Sequence, residues 1–251
     1  MAKLAKSGDK GFGESWNKLF DLSTARIREM TQDPKRMKAA NDSMRSVLFD
    51  ISPVKEIIYP EMSKYEIMEF DVISGFISVN RMIFSLDQCK NYFKKYLFKD
   101  IAVSRSDHLR NICEMYFDRI VQFRDRMKDF LNCIKKVSDF TSIEVKEILK
   151  IFDKNFRWEI RCRNFTHHHG RFNYLAIERL SFYEIISYDQ DIEIAPYKVR
   201  TYRKEVKVWI ERVERSAEFL RQILDKIAYI ILNRSNLSFV KEKVKNGIVS
   251  F

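Results

Sequence analysis

Three of the four histidines in this chain are consecutive, His167, His168 and His169, in the run Trp158-Glu159-Ile160-Arg161-Cys162-Arg163-Asn164-Phe165-Thr166-His167-His168-His169-Gly170-Arg171. Together with Arg161, Arg163 and Arg171 they suit a phosphate diester. Arginine presents a planar fork of donors to phosphate oxygens, and histidine titrates near neutrality and passes a proton. Asn164, directly after Arg163, reaches the same phosphate or a ribose hydroxyl. If the run closes a helix, the negative pole at that end favours cationic side chains there. The same pole supports a plainer reading, a solvated basic cap with no chemistry. No metal or other cofactor is expected, because successive helical residues point about 100° apart and three in a row do not converge on one ion.

The chain has 251 residues, with 46 Lys and Arg against 35 Asp and Glu, a formal charge of +11 and a pI near 9.4. Its 45 % apolar and 32 % charged content is that of a globular protein, which argues against wholesale disorder or a fibrous repeat. Only 6 Gly and 4 Pro occur, too few turn formers for a barrel, a sandwich or a Gly-rich phosphate loop, so helix should dominate. The basic balance points to nucleic acid before acidic lipid. Met1 to Gly13 has no apolar run of the secretory kind, and no stretch approaches the roughly 18 apolar residues of a membrane span. A cytoplasmic protein is the expectation. Cys89, Cys113, Cys133 and Cys162 form no CxxC pair, which suits buried thiols better than a zinc knuckle or a disulfide scaffold.

Four long periodic segments must position the basic run. Ser63 and Glu66 have capping-box spacing and open a helix expected over 62–98. The second, over 104–137, repeats apolar residues in steps of three and four from Leu109 through Tyr116, Phe123 and Phe130 to Val137. The third, over 141–169, opens with Thr141 and Glu144 and passes Ile148, Leu149, Phe152, Phe156 and Ile160 before stopping at Gly170. The fourth covers 197–233. Between the last two, 171–195 reads either as a helix over 175–187 or as short strands at 182–186 and 191–195. Residues 1–58 form a separate basic arm or short helices, with Trp16, Leu19, Phe20 and Ile27 at helical spacing and Asp33-Pro34 as an interruption. The main domain is then 59–251.

The order Arg163-Asn164-x-x-x-His168 resembles the motif R-N/D/H-x(3 to 5)-H of the HEPN superfamily, helical ribonuclease and nucleotide-binding domains of prokaryotic toxin and defence systems. In that family the motif closes the third helix of an up-and-down four-helix bundle. The resemblance implies an up-and-down four-helix bundle of HEPN type over roughly residues 60–235; it does not account for the first 58, which make the expected all-α fold one with an N-terminal helical extension. Arg161 with His167, or Arg163 with His169, also meets the looser spacing, but Arg163 with His168 alone places Asn164 directly after the arginine.

The resemblance further implies an RNA-cleaving toxin or effector that needs no metal. Arg163, Asn164 and His168 would be catalytic, and Arg161, His167, His169 and Arg171 would bind RNA. In the second helix, Arg119 and Arg126 flank the apolar stripe, where they either line an RNA groove or snorkel over the core. One histidine per chain is short of an acid and base pair, which favours a homodimer; an antitoxin or regulatory protein is a further expected partner. The aromatics Phe182, Tyr183, Tyr188, Tyr197 and Tyr202 either stack bases or pack in the core. The alternative function is a non-catalytic bundle that binds nucleotide or nucleic acid, or a dimeric scaffold.

Overall fold

The computed structural model describes residues 13–32, 34, 38, 62–95, 103–189 and 194–245. Its helices there are α1 (Glu14–Thr31), α2 (Lys64–Lys94), α3 (Arg105–Val137), α4 (Ser142–Asn155), α5 (Arg157–His168), α6 (Leu175–Asp189), α7 (Ala195–Arg234) and α8 (Ser238–Lys245). One isolated bridge, Ser138 with Ser235, is the only extended pairing among the described residues. The protein is all-α. Apart from Lys38, the basic segment 35–49 lies outside the described residues, as do 96–98 at the end of the first expected long helix.

Two expectations need correction. The apolar steps through Phe156 predict one helix over 141–169, whereas the chain forms two, divided at Phe156 (φ −106°, ψ 21°). No Pro or Gly causes the break. Phe156 is buried, its ring 4.7 Å from Phe152 and 5.7 Å from Phe219, and beyond it Glu159 faces inward in place of the half-buried Ile160. The strand reading of 182–186 also fails, since 175–189 is helix. Ala176, Ile177 and Leu180 are buried at helical spacing on its inner face. The short helix α8 was not foreseen.

Contacts group the chain into two units, one of residues 1–76, 130–141 and 222–251, the other of 77–129 and 142–221. In the first, Leu19, Phe76, Phe130, Leu131 and Ile231 are buried. Gly75 lets α2 approach α3, because a Cβ there would lie 2.8 Å from Cδ2 of Phe130. Glu69 is fully buried, and a carboxylate so placed requires donors. Arg26 supplies two, at 3.1 and 2.9 Å. Ser238 supplies its backbone N–H at 2.7 Å and its hydroxyl at 2.6 Å, so Glu69 caps the first turn of α8. Asp225 of α7 likewise accepts the N–H of Trp16 in the first turn of α1 at 2.9 Å. The capping box of α2 forms as its spacing predicts, with Ser63 and Glu66 exchanging bonds of 2.9 and 3.2 Å.

In the second unit the N-terminus of α3 is capped twice. Ser104 Oγ accepts the Asp107 N–H at 3.0 Å. Glu184, from α6, accepts the N–H groups of Arg105 and Ser106 at 2.7 and 3.3 Å and the Ser106 hydroxyl at 2.6 Å. The core here is aromatic. Trp209 lies about 6 Å from the rings of Phe93, Tyr116, Phe117, Trp158, Phe172 and Tyr174, stacked on Phe93, tilted against Trp158 and edge-to-face with the other four.

Candidate nucleic-acid interface

The basic run falls on α5, which is anchored at its start by Trp158 and Glu159. Arg212 lies 4.0 Å over the Trp158 ring and donates to Glu159 Oε1 from Nε at 2.9 Å and from Nη2 at 2.8 Å. Tyr116 donates to the same oxygen at 3.3 Å and lies 2.8 Å from the Ser216 hydroxyl. Burial, with Glu159 beside it, pushes the Tyr116 phenol far above its ordinary range, so it stays a donor. One turn on, burial and Glu159 push the Cys162 thiol up to about 11. Cys162 is therefore protonated near neutrality and is no nucleophile.

The far end of α5 is held by a stripe on α3, Asn111, Glu114 and Asp118, spaced by three and four residues. Glu114 accepts the Phe172 N–H at 2.8 Å and lies 3.4 Å from Arg171 Nε, while Arg171 also donates to Asn111. Arg110 donates to the Phe172 carbonyl at 2.9 Å. Both backbone groups of Phe172 are thus fixed by α3. The helix ends at His168, the His169 N–H bonding back to Phe165 O at 2.8 Å. Gly170 follows at φ +151°, a backbone region that favours glycine.

His167, His168 and His169 are all exposed. Their rings form a continuous surface, with centroids 5.4 Å apart for the first pair and 6.3 Å for the second, and Phe165 lies 5.7 Å from His169. Arg163 is placed differently. It is half-buried, and its Nε lies 3.6 Å from Asp118 Oδ1 with no hydrogen-bond partner of its own among the described residues. Five residues along an unbroken α-helix correspond to about 140°, so Arg163 and His168 leave α5 on different faces.

A second set shares the His168 face. Arg157, Arg161, Asn164 and His168 follow in steps of four, three and four, which keeps them within a stripe about 60° wide. All four are exposed, and Arg157 and Arg161 have no ion-pair partner among the described residues. Arg157, Ile160, Arg161 and Asn164 line a cavity of about 430 Å³ with Val121 and Arg124 of α3 and Asp153 of α4. Asp153 is already engaged by Arg124 through two bonds, at 2.5 and 2.8 Å. Sequence reasoning missed Arg124 and Arg157. The four-residue step from Arg157 to Arg161 was a readable signal for the second, whereas Arg124 joins only through the packing of α3 on α5.

Arg119 and Arg126 have side-chain partners away from α5. Arg126 donates to Ser78 of α2 at 2.7 Å, and Arg119 donates to Gln122 at 2.8 Å and acts electrostatically on Cys89 of α2. His108 is also remote in role: it is half-buried, its Nδ1 lies 2.8 Å from the Tyr202 hydroxyl, and burial lowers its pKa. Among the described residues no group of three or more His, Cys, Asp or Glu is placed to hold a metal, and no helix is long and apolar enough to cross a membrane.

No family model matches this chain. No curated protein and no solved structure matches it either. The chemistry of the site rests on its own groups. They are an exposed imidazole surface at the negative pole of a helix, a half-buried guanidinium beside it on another face, and two unpaired guanidiniums on the imidazole face.

Proposed function

We propose that this protein is a metal-independent endoribonuclease of HEPN type, acting in the cytoplasm as a toxin or effector of a prokaryotic defence system. The observation that carries the reading is the exposed surface of three histidine rings at the C-terminal pole of α5, within one helical run of Arg161 and Arg163. A ribose 2′-OH attacks the adjacent phosphorus, His168 accepts its proton, and Arg163 stabilises the charge that develops on the phosphate oxygens. The 5′-oxygen of the next nucleotide leaves with a proton, and the upstream fragment keeps a 2′,3′-cyclic phosphate. RNA is the substrate because only RNA carries the internal nucleophile.

The fold we assign to this activity is the HEPN four-helix bundle, with α2, α3, the α4–α5 pair and α7 as its up-and-down segments and α1 as the extension. The separation of Arg163 from His168 around α5 favours a homodimer in which Arg163 of one copy works with His168 of the other. The exposed apolar stripe Leu175, Phe182 and Ile185 on α6, which starts six residues after His169, suits such an interface.

The test is incubation of purified protein with labelled single-stranded and structured RNA, with and without EDTA, beside His168→Ala. Cleavage that survives EDTA and is lost in the variant supports the reading. Intact RNA under all conditions replaces it with the non-catalytic binding module, which the Asp118 partner of Arg163 favours by occupying that guanidinium.

A further inference from the structure

The cavity lined by α3, α4 and α5 carries an excess of positive charge. Three guanidiniums line it, from Arg124, Arg157 and Arg161, against the single carboxylate of Asp153. Arg124 and Asp153 satisfy one another in a two-point pair, which leaves a net charge of two from Arg157 and Arg161. Like charges one helical turn apart repel and weaken a helix. Arg157 and Arg161 keep that arrangement in the lining of one groove, where their fields add toward an incoming ligand. Val121 and Ile160 add aliphatic surface to the lining, and Asn164 supplies an amide with both a donor and an acceptor. A guanidinium pair beside two aliphatic side chains and one amide suits a nucleotide unit: phosphate on the arginines, sugar and base edge on Val121 and Ile160, and hydrogen bonding at Asn164.

We propose that the α3–α5 groove is a binding track for the phosphodiester backbone of a single RNA strand, with Arg157 and Arg161 each holding a phosphate and Asn164 guiding the strand toward His168. The proposal rests on the ribonuclease reading for the strand's identity as substrate, while the binding itself is measurable without cleavage. It is distinct from the Arg163 face of α5, and it makes Arg157 and Arg161 binding residues rather than catalytic ones. A backbone track reads charge and spacing, so a strand should bind far better than a mononucleotide, and affinity should depend steeply on salt.

The experiment is fluorescence anisotropy of a short labelled single-stranded RNA on the His168→Ala protein across a salt series, with and without Arg157→Gln/Arg161→Gln. The expected result is at least a tenfold loss of affinity in the double variant and a salt slope shallower by roughly 1.4, two contacts at about 0.7 each for a single strand. Arg200→Gln/Arg203→Gln removes the same charge from another basic hollow, on α7, and should leave affinity within about twofold of the parent. Equal binding by parent and groove variant, an equal loss in the α7 control, or competition by a mononucleotide as effective as by unlabelled strand each overturns the track. If the groove variant loses binding but wild-type protein cuts no RNA, the cleavage reading fails and the track stands. If wild-type protein cuts RNA and the groove variant binds as the parent does, the track fails and the cleavage reading stands.

Discussion

Arg163 and His168, five residues apart on one unbroken helix, project from α5 about 140° apart, the first toward Asp118 of α3 and the second into solvent. In the proposed homodimer, Arg163 of one copy and His168 of the other would meet on one phosphate.

The expected outcome is measurable by complementation. His168→Ala should lower RNA cleavage by about 100-fold or more without changing thermal stability, since the ring is exposed, and Arg163→Ala should lower cleavage comparably. Mixing the two inactive proteins should restore activity, because a mixed dimer rebuilds one site with both residues native. No recovery, in a mixture shown to exchange subunits, would place both groups on the same chain.

Removing the acceptor beneath α5 should destabilise it. Glu159 is buried and takes both Arg212 bonds and the Tyr116 hydroxyl on one oxygen. Glu159→Leu should lower the unfolding free energy by about 2 kcal/mol, the usual effect of removing a charged hydrogen-bond partner. A urea midpoint equal to wild type would count against this network as an anchor.

Gly75 should not tolerate a methyl group. Its added Cβ would stand 2.8 Å from a Phe130 ring carbon and 3.4 Å from the Phe130 Cα, so Gly75→Ala should cost about 1 to 3 kcal/mol by overpacking. Phe130→Leu should offset part of that loss, and a double-mutant cycle reads the coupling directly.

Stability should fall on the acid side through His108. Burial lowers its pKa below the ordinary 6.5, so as pH drops the unfolded chain takes up a proton before the folded one. The loss of stability is absent above about pH 6.5, grows as the pH falls from there toward the folded value, and levels off below it. His108→Gln should flatten that part of a Tm-against-pH curve; an unchanged slope would remove His108 from the explanation.

Cys162 sits between two arginines of the basic run yet should behave as an inert thiol. With its pKa pushed up to about 11, alkylation located by mass spectrometry should be slow near neutrality and accelerate toward that pH. Cys162→Ala should cleave RNA as wild type does. Fast modification at neutral pH would show a thiolate that burial and Glu159 do not allow.

Much of the helical frame was legible because it follows from local chemistry. The Ser63 and Glu66 pair, the three- and four-residue steps of α3 and α7, and Gly170 after the basic run all act within a few residues of where they stand in sequence. The break at Phe156 was hidden because its cause is tertiary: the apolar steps continue through it, and only packing on Phe219 and the burial of Glu159 separate α4 from α5. α6 was ambiguous at its length, and its helical face became visible only with Ala176, Ile177, Leu180 and Glu184 set against their neighbours. In the candidate site, the types of the residues were readable but their faces were not fully used. The motif pairs Arg163 with His168, while helical geometry pairs His168 with Arg161 and Asn164. The third dimension also adds Glu114 and Asp118, acids 45 or more positions away in sequence that neutralise Arg171 and Arg163.

Capping by distant carboxylates has a consequence for how the chain comes into being. The N-terminus of α1 is completed by Asp225, 209 residues later, and that of α3 by Glu184, 78 residues beyond Ser106. Loop closure over such spans is slow relative to the growth of a helix, and domains emerge from the ribosome N-terminus first. During synthesis α1 leaves the exit tunnel before its cap exists, and its first turn stays open until most of α7 has been made. A chain truncated before Asp225 therefore lacks the means to finish its own first helix, and premature termination should yield a protease-sensitive N-terminus instead of a shortened, active protein.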